Sequence, residues 1–247
     1  MKLVIITAAL LTTIGAASDI GLDPMPTPHM AYSAAARHLE TPNPAPLAAS
    51  AGPTALLSEI TSELATMRRT RYQHATEVHR SRGEFFYDCS GFVDYALTHS
   101  RPLAARALPI TASAGRPLAQ DFQRYLHGLD QGKASDTWAS VPTIDAVRPG
   151  DVIAWLKTPD SKSRDTGHVM IVLESAVPGR DAHEWLFKIA DSTANPHADD
   201  SRGGSDGLGT GTIGLQVDDR GRPIGFFWRG GLSPQPKLTE VALGRLI

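Results

Sequence analysis

The chain has 247 residues, with 24 Lys and Arg against 26 Asp and Glu, for a formal net charge of −2. No basic cluster marks a nucleic-acid surface and no run of like charge marks a solvated tail, so nucleic acid is not an expected partner. A single cysteine, Cys89, excludes an intrachain disulfide.

The N-terminus reads as an export signal. Lys2 supplies a positive region, Leu3 to Leu11 is an uncharged apolar run, and the small residues Gly15 to Ser18 follow. This pattern predicts a signal peptide over residues 1–17, cleaved near Ala17, and a periplasmic or secreted mature chain. The run is too short to cross a bilayer, and no longer apolar stretch follows, so no membrane insertion is expected after cleavage. Residues 18–53 carry Pro24, Pro26, Pro28, Pro42, Pro44, Pro46 and Pro53 among many alanines. That composition predicts an extended, disordered leader.

The folded domain is expected over residues 54–247. Leu56, Ile60, Leu64 and Met67 recur at helical spacing, with Glu59, Glu63 and Arg68 elsewhere around the wheel. A second helix starts at Cys89, with Phe92, Val93, Ala96 and Leu97 as its apolar face, and Pro102 bars its extension. Residues 101–147 read as an insertion holding one helix, Leu118 to Leu129. Beyond it the period changes. Strands are expected over Asp151–Leu156, His168–Leu173 and Glu184–Ala190. A polar surface loop is expected over 191–212, then a hairpin of Ile213–Val217 and Ile224–Trp228 around Asp219-Arg220-Gly221. Helices followed by adjacent strands predict an α+β fold with antiparallel pairing.

The chemistry centres on Cys89. An unpaired cysteine in an exported chain is either buried as a small hydrophobe or used. A helix N-terminus offers partial positive charge and free N–H groups, which favour a thiolate and can hold an oxyanion. Among nine histidines, His168 is the best-placed base, opening an apolar strand after Gly167. The bland alternative is a surface histidine at a strand edge. His74 and His79 precede the cysteine helix and could line a cleft. Asp191 is a candidate to orient His168, with His197 as its rival.

Several other signals are weak. Gly209-Thr210-Gly211-Thr212-Ile213-Gly214 fits a dinucleotide-loop string but lacks the strand before it and the helix after it. Asp199, Asp200 and Asp206 fit no EF-hand spacing. His197 with Asp199 has no second cluster at zinc-ligand spacing. Trp138, Trp155, Trp185 and Trp228 are scattered as core residues are. No cofactor and no metal is expected.

The run Tyr87-Asp88-Cys89-Ser90-Gly91-Phe92-Val93 resembles the Asp-Cys-Ser-Gly-(aliphatic or Phe)-Val signature of the NlpC-type cysteine peptidases of bacterial cell walls. Arg148-Pro149-Gly150-Asp151-Val152, Gly167-His168-Val169-Met170-Ile171 and Ile189-Ala190-Asp191-Ser192 follow in that family's order. The resemblance spans residues 70–193, half the chain. It implies a papain-like fold, with N-terminal helices and a nucleophile-bearing helix packed on a small antiparallel sheet. It also implies a hydrolase, a thiol protease or amidase, cleaving an amide bond in peptidoglycan stem peptides through a thioester. Cys89 would be the nucleophile, His168 the base and Asp191 its orienter. Asp88 and Ser90 would help bind a substrate amine, and Tyr72 would border the site. Two other outcomes share this sequence: acyl transfer from the same Cys–His site, and a wall-binding module that keeps the fold without catalysis.

Overall fold

The computed structural model describes residues 51–247. The expected signal peptide (1–17) and most of the expected leader (18–53) lie outside the described residues. The exception is Ala51–Pro53, which is already helical. Four α-helices and twelve strands follow in a mixed α+β arrangement. Helix α1 (Ala51–Thr66) leads to a small sheet of β1 (Arg69–Arg71), β2 (Glu77–His79) and β3 (Glu84–Phe86). Its order is β1-β3-β2, with β1 parallel and β2 antiparallel to β3. Then come α2 (Cys89–Ser100), α3 (Pro102–Ala107), α4 (Ala119–Asp130) and β4 (Trp138–Ser140). Strands β5 (Val152–Leu156), β6 (Gly167–Val172), β7 (Val177–Pro178), β8 (Glu184–Thr193), β9 (Gly207–Val217), β10 (Pro223–Phe227), β11 (Lys237–Leu238) and β12 (Val241–Leu246) complete the chain.

The second sheet has nine strands, larger than the small sheet that the sequence implied. Its order is β11-β10-β9-β8-β6-β5-β12-β4, with β7 beside β8, and every pairing is antiparallel. One face carries Val152, Ala154, Val169, Ile171 and Ala190, which pack with Phe92, Val93 and Leu97 of α2 and Phe122 and Leu126 of α4. The opposite face carries Ile153, Trp155, Met170, Val172, Phe187 and Ile189. Residues of β10 and β12 meet even though four strands separate them in the sheet, so the sheet curls over this second core. Alternate residues of β5, β6 and β8 thus serve two apolar layers, which is why these strands read as continuous apolar runs.

Each departure from the expected elements has a local cause. Glu63 is fully buried with Leu56 and Ile60 on the inner face of α1, not on the outer face. Pro102 ends α2 but starts α3 in the first-turn position that a proline tolerates. The 101–147 segment is part of the core rather than an appendage, because α4 lays Phe122, Tyr125, Leu126 and Leu129 against it. Strand β12 slots between β5 and β4, where Arg245 grips the buried Asp151 carboxylate through Nε (2.8 Å) and Nη2 (2.7 Å).

The loop expected over 191–212 is largely strand: β8 runs to Thr193 and β9 starts at Gly207. The Gly209–Gly214 string lies within β9. Its glycines serve close packing: a Cβ on Gly209 would fall 2.6 Å from the Arg202 side chain, and one on Gly211 would fall 2.6 Å from His197. Glycine here lets the 194–206 connection lie flat on the sheet.

Candidate active site

Cys89 is the first residue of α2. Asp88 caps the helix in an extended conformation, its Oδ1 accepting the Gly91 N–H at 2.8 Å. Cys89 is nearly enclosed, 4 % exposed, yet it lines a cleft of about 490 Å³ with Tyr72, His74, Asp88, Ser90 and Arg116. The expected lowering of the thiol pKa at a helix start is reversed. Burial pushes it well up, the nearby Asp88 and Asp191 carboxylates add to the rise, and the Val169 N–H opposes them. The resting group is a neutral thiol.

His168 follows Gly167 at the start of β6 and pairs with Trp155 of β5. Gly167 has a φ of 153°, and a Cβ there would lie 1.9 Å from the Trp155 carbonyl oxygen, so only glycine fits. His168 Nε2 lies 2.6 Å from Asp191 Oδ2. A carboxylate partner requires Nε2 to carry the hydrogen, which leaves Nδ1 as the lone-pair nitrogen of the neutral ring. Among the described residues no hydrogen bond occupies that Nδ1, and none joins the ring to the thiol.

The two candidates for a third residue occupy one array. Asp191 is fully buried, and His197 Nε2 lies 2.9 Å from the same Oδ2. His197 Nδ1 is 2.9 Å from the Trp228 carbonyl oxygen. Both of its ring nitrogens therefore face acceptors, which requires two N–H groups and a cationic ring. Burial alone would lower its pKa, but the Asp191 carboxylate and the Trp228 carbonyl raise it overall. Arg202 adds a second cation. It bonds Asp191 Oδ1, the Asp191 carbonyl oxygen (2.8 Å) and Asp200 Oδ2 (2.8 Å). Burial alone would raise the Asp191 pKa, yet His197 and His168 hold it far below the usual carboxylate range.

His168, Asp191 and His197 are also close enough to bracket a metal ion. The donor set argues against one. Arg202 already neutralises the carboxylate, and His197 has no free lone pair while it holds the Trp228 carbonyl.

His168 faces a second cleft, of about 530 Å³. Trp155 and Phe226 stack along its wall at 4.2 Å, and Trp228 meets the His168 ring edge-on at 5.0 Å. Trp138 is a core residue as expected, whereas Trp155 and Trp228 also line this cleft. Tyr72, Asp165 and Gly167 border both clefts, and the Tyr72 hydroxyl donates to Asp165 Oδ1 at 3.3 Å across the divide. Burial, with Cys89 and Asp165 close by, pushes the Tyr72 hydroxyl pKa well up, so it stays a donor.

The sequence singled out Cys89, His168, Asp191, Asp88, Ser90 and Tyr72; five of them line these linked clefts, and Asp191 lies buried behind His168, which it bonds. His79 lies away from them: its ring bonds Glu77 at 2.9 Å. Arg116, Arg202 and Trp228 were missed. Only the glycine alternation of β9 hinted that something would pack over Asp191.

Among curated proteins, the chain is similar to Uncharacterized protein R653 of Acanthamoeba polyphaga mimivirus. The two are 29 % identical over 183 residues, which cover 64 % of this chain and 77 % of that protein. No protein-family model and no solved structure matches the chain.

Proposed function

We propose that the chain is an exported cysteine hydrolase of the NlpC type with a papain-like arrangement, cleaving an amide bond in peptidoglycan stem peptides or a related short peptide. One observation carries this reading. Asp191 holds the Nε2 side of His168, which leaves Nδ1 as the ring's acceptor, and the adjoining Gly167 lines the same cleft as Cys89. A base oriented by a buried carboxylate beside a thiol is the arrangement that nucleophilic acyl transfer needs.

The steps follow from the protonation states. As the sulfur attacks the carbonyl carbon, the thiol proton moves to His168 Nδ1 and a C–S bond forms. The N–H groups at the start of α2 stabilise the oxyanion. His168 then returns the proton to the amide nitrogen, the C–N bond breaks, and an acyl thioester remains. Water attacks that thioester through the same imidazole, the C–S bond breaks, and the acid leaves with the thiol restored. Asp191 keeps the ring oriented and does not itself accept the proton.

A second reading is a wall-binding module without chemistry. The burial of the sulfur favours it. Digestion of purified peptidoglycan separates the two, with products identified by mass. Wild type should release fragments carrying a new carboxylate, Cys89→Ala should bind but release none, and His168→Ala should be slowed about a hundredfold or more. Equal release by Cys89→Ala would refute the hydrolase. Ligated products on adding an amine would redirect it to acyl transfer.

A further inference from the structure

Asp88 stands one residue before the nucleophile, at the wall of the Cys89 cleft. A buried carboxylate in that position is a natural anchor for a substrate cation, but here it is saturated. Oδ1 accepts from the Gly91 N–H (2.8 Å) and the Ser90 hydroxyl (3.0 Å). Oδ2 receives Arg116 Nη2 (2.8 Å) and faces His74 Nδ1 (3.1 Å). The Arg116 guanidinium is equally committed. Besides Asp88, it donates through Nη1 to the Ser90 hydroxyl (2.6 Å) and the Pro117 carbonyl (3.1 Å), and through Nη2 to the His74 carbonyl (2.9 Å). Its side chain is 12 % exposed and that of Asp88 7 %. All four terminal guanidinium hydrogens have acceptors, so only Nε–H is left for a ligand.

The 101–147 segment delivers this cation. Arg116 is bridged to Thr111 across a short turn, and the Thr111 hydroxyl is tied to Asp121 of α4 at 2.5 Å. Ser113 and Ala114 from the same turn line the cleft beside Arg116.

We propose that Arg116 is a built-in occupant of the cation position beside Cys89. The cleft therefore takes an acyl group with no ammonium next to the scissile carbonyl: an N-blocked or internal peptide segment, not a free amino terminus. This inference rests on the hydrolase reading for its substrate, but not for the occupancy of the Asp88 position. A free ammonium would have to displace a guanidinium that holds four hydrogen bonds. Without Arg116 the same pocket leaves a buried carboxylate that lacks its cation and calls for one.

Two peptidyl chloromethyl ketones, identical except for a free or acetylated amine, test this through the rate of Cys89 labelling read by intact mass. Wild type should label about tenfold faster with the acetylated probe, and Arg116→Ala should reverse the preference, as a charge-assisted hydrogen bond to Asp88 becomes available. In parallel, methylguanidinium should raise the unfolding temperature of Arg116→Ala and leave wild type unchanged. If Arg116→Ala does not fold, Arg116→Gln, which removes the charge and keeps an amide donor, serves in both arms.

Faster labelling of wild type by the free-amine probe would overturn the proposal. So would an unchanged preference in the variant, or an equal methylguanidinium shift in both proteins. If neither probe labels wild type, the hydrolase reading fails, and the methylguanidinium arm still decides whether Arg116 fills a cation site.

Discussion

Glu63 offers a sharp test of how the segment leading to Cys89 is supported. It is fully buried on α1, and its Oε2 accepts the Tyr87 hydroxyl at 2.6 Å. Its Oε1 has no partner among the described residues. Burial pushes its pKa from 4.5 up to about 8, with the Tyr87 hydroxyl pulling the other way and Glu59 adding to the rise. A carboxyl with a raised folded pKa stays protonated in the fold while the unfolded chain releases its proton. Stability is then full below about pH 4.5 and falls as pH rises, until about pH 8. At roughly 1.4 kcal/mol per pH unit, the whole window is worth on the order of 4 kcal/mol, a large share of a typical domain's stability. Glu63→Gln keeps an acceptor for Tyr87 and cannot ionise. Urea unfolding of both proteins at pH 5.5, 7.0 and 8.5 isolates this residue, because shared titrations such as that of His197 cancel in the difference. The variant should gain on wild type by about 3 kcal/mol between pH 5.5 and 8.5, or roughly 6–12 °C in Tm for a domain of this size. A difference that stays flat with pH would refute the reasoning. Tyr87 links Glu63 to the candidate site, since it directly precedes Asp88 and Cys89 and its carbonyl accepts the Ser192 hydroxyl at 2.6 Å.

Gly167→Ala should disable the site while leaving most of the core intact. Its Cβ would strike the Trp155 carbonyl at a φ that side chains avoid, so the proposed peptidoglycan cleavage should fall about a hundredfold or more when His168 shifts by an ångström; cleavage equal to wild type would show that the His168 position tolerates displacement. Asp151→Ala removes a buried carboxylate that binds Arg245 twice and the Arg148 N–H at 2.7 Å. It should lower unfolding stability by about 3–5 kcal/mol, and a loss under 1 kcal/mol in urea titration would contradict the role given to that pair.

Much of the site was legible because its residues obey local rules. Asp88 is a capping residue followed by an apolar helical face, so the start of α2 follows from Asp88, Phe92, Val93, Ala96 and Leu97 alone. The apolar runs at β5 and β6 and the glycine before His168 marked two central strands. What the sequence hid depends on distance along the chain. Arg245 meets Asp151 from 94 positions away, so nothing near residue 245 announces a strand between β5 and β4. Glu63 breaks the rule that charged residues turn outward, and no local pattern reveals that Tyr87 awaits it. The polar stretch after Asp191 looked like a solvated loop because Asp200, Arg202 and His197 are polar. In the fold they satisfy one another and Asp191.

Under the hydrolase proposed above, that cluster bears on how the thiol would be activated. Asp191 already faces two cations, Arg202 and the doubly hydrogen-bonded His197. The charge of this carboxylate is thus shared between those two groups while it also accepts from His168 Nε2. Burial holds the Cys89 proton on sulfur at the same time. The thiol therefore keeps its proton until substrate arrives rather than resting as a preformed thiolate. In the proposed reaction proton transfer would then accompany attack, when negative charge moves from sulfur to an oxyanion within reach of the α2 N–H groups. In that proposed reaction Asp191 would fix which nitrogen of His168 can accept the thiol proton, and the arriving carbonyl would supply the driving force for the proton to move.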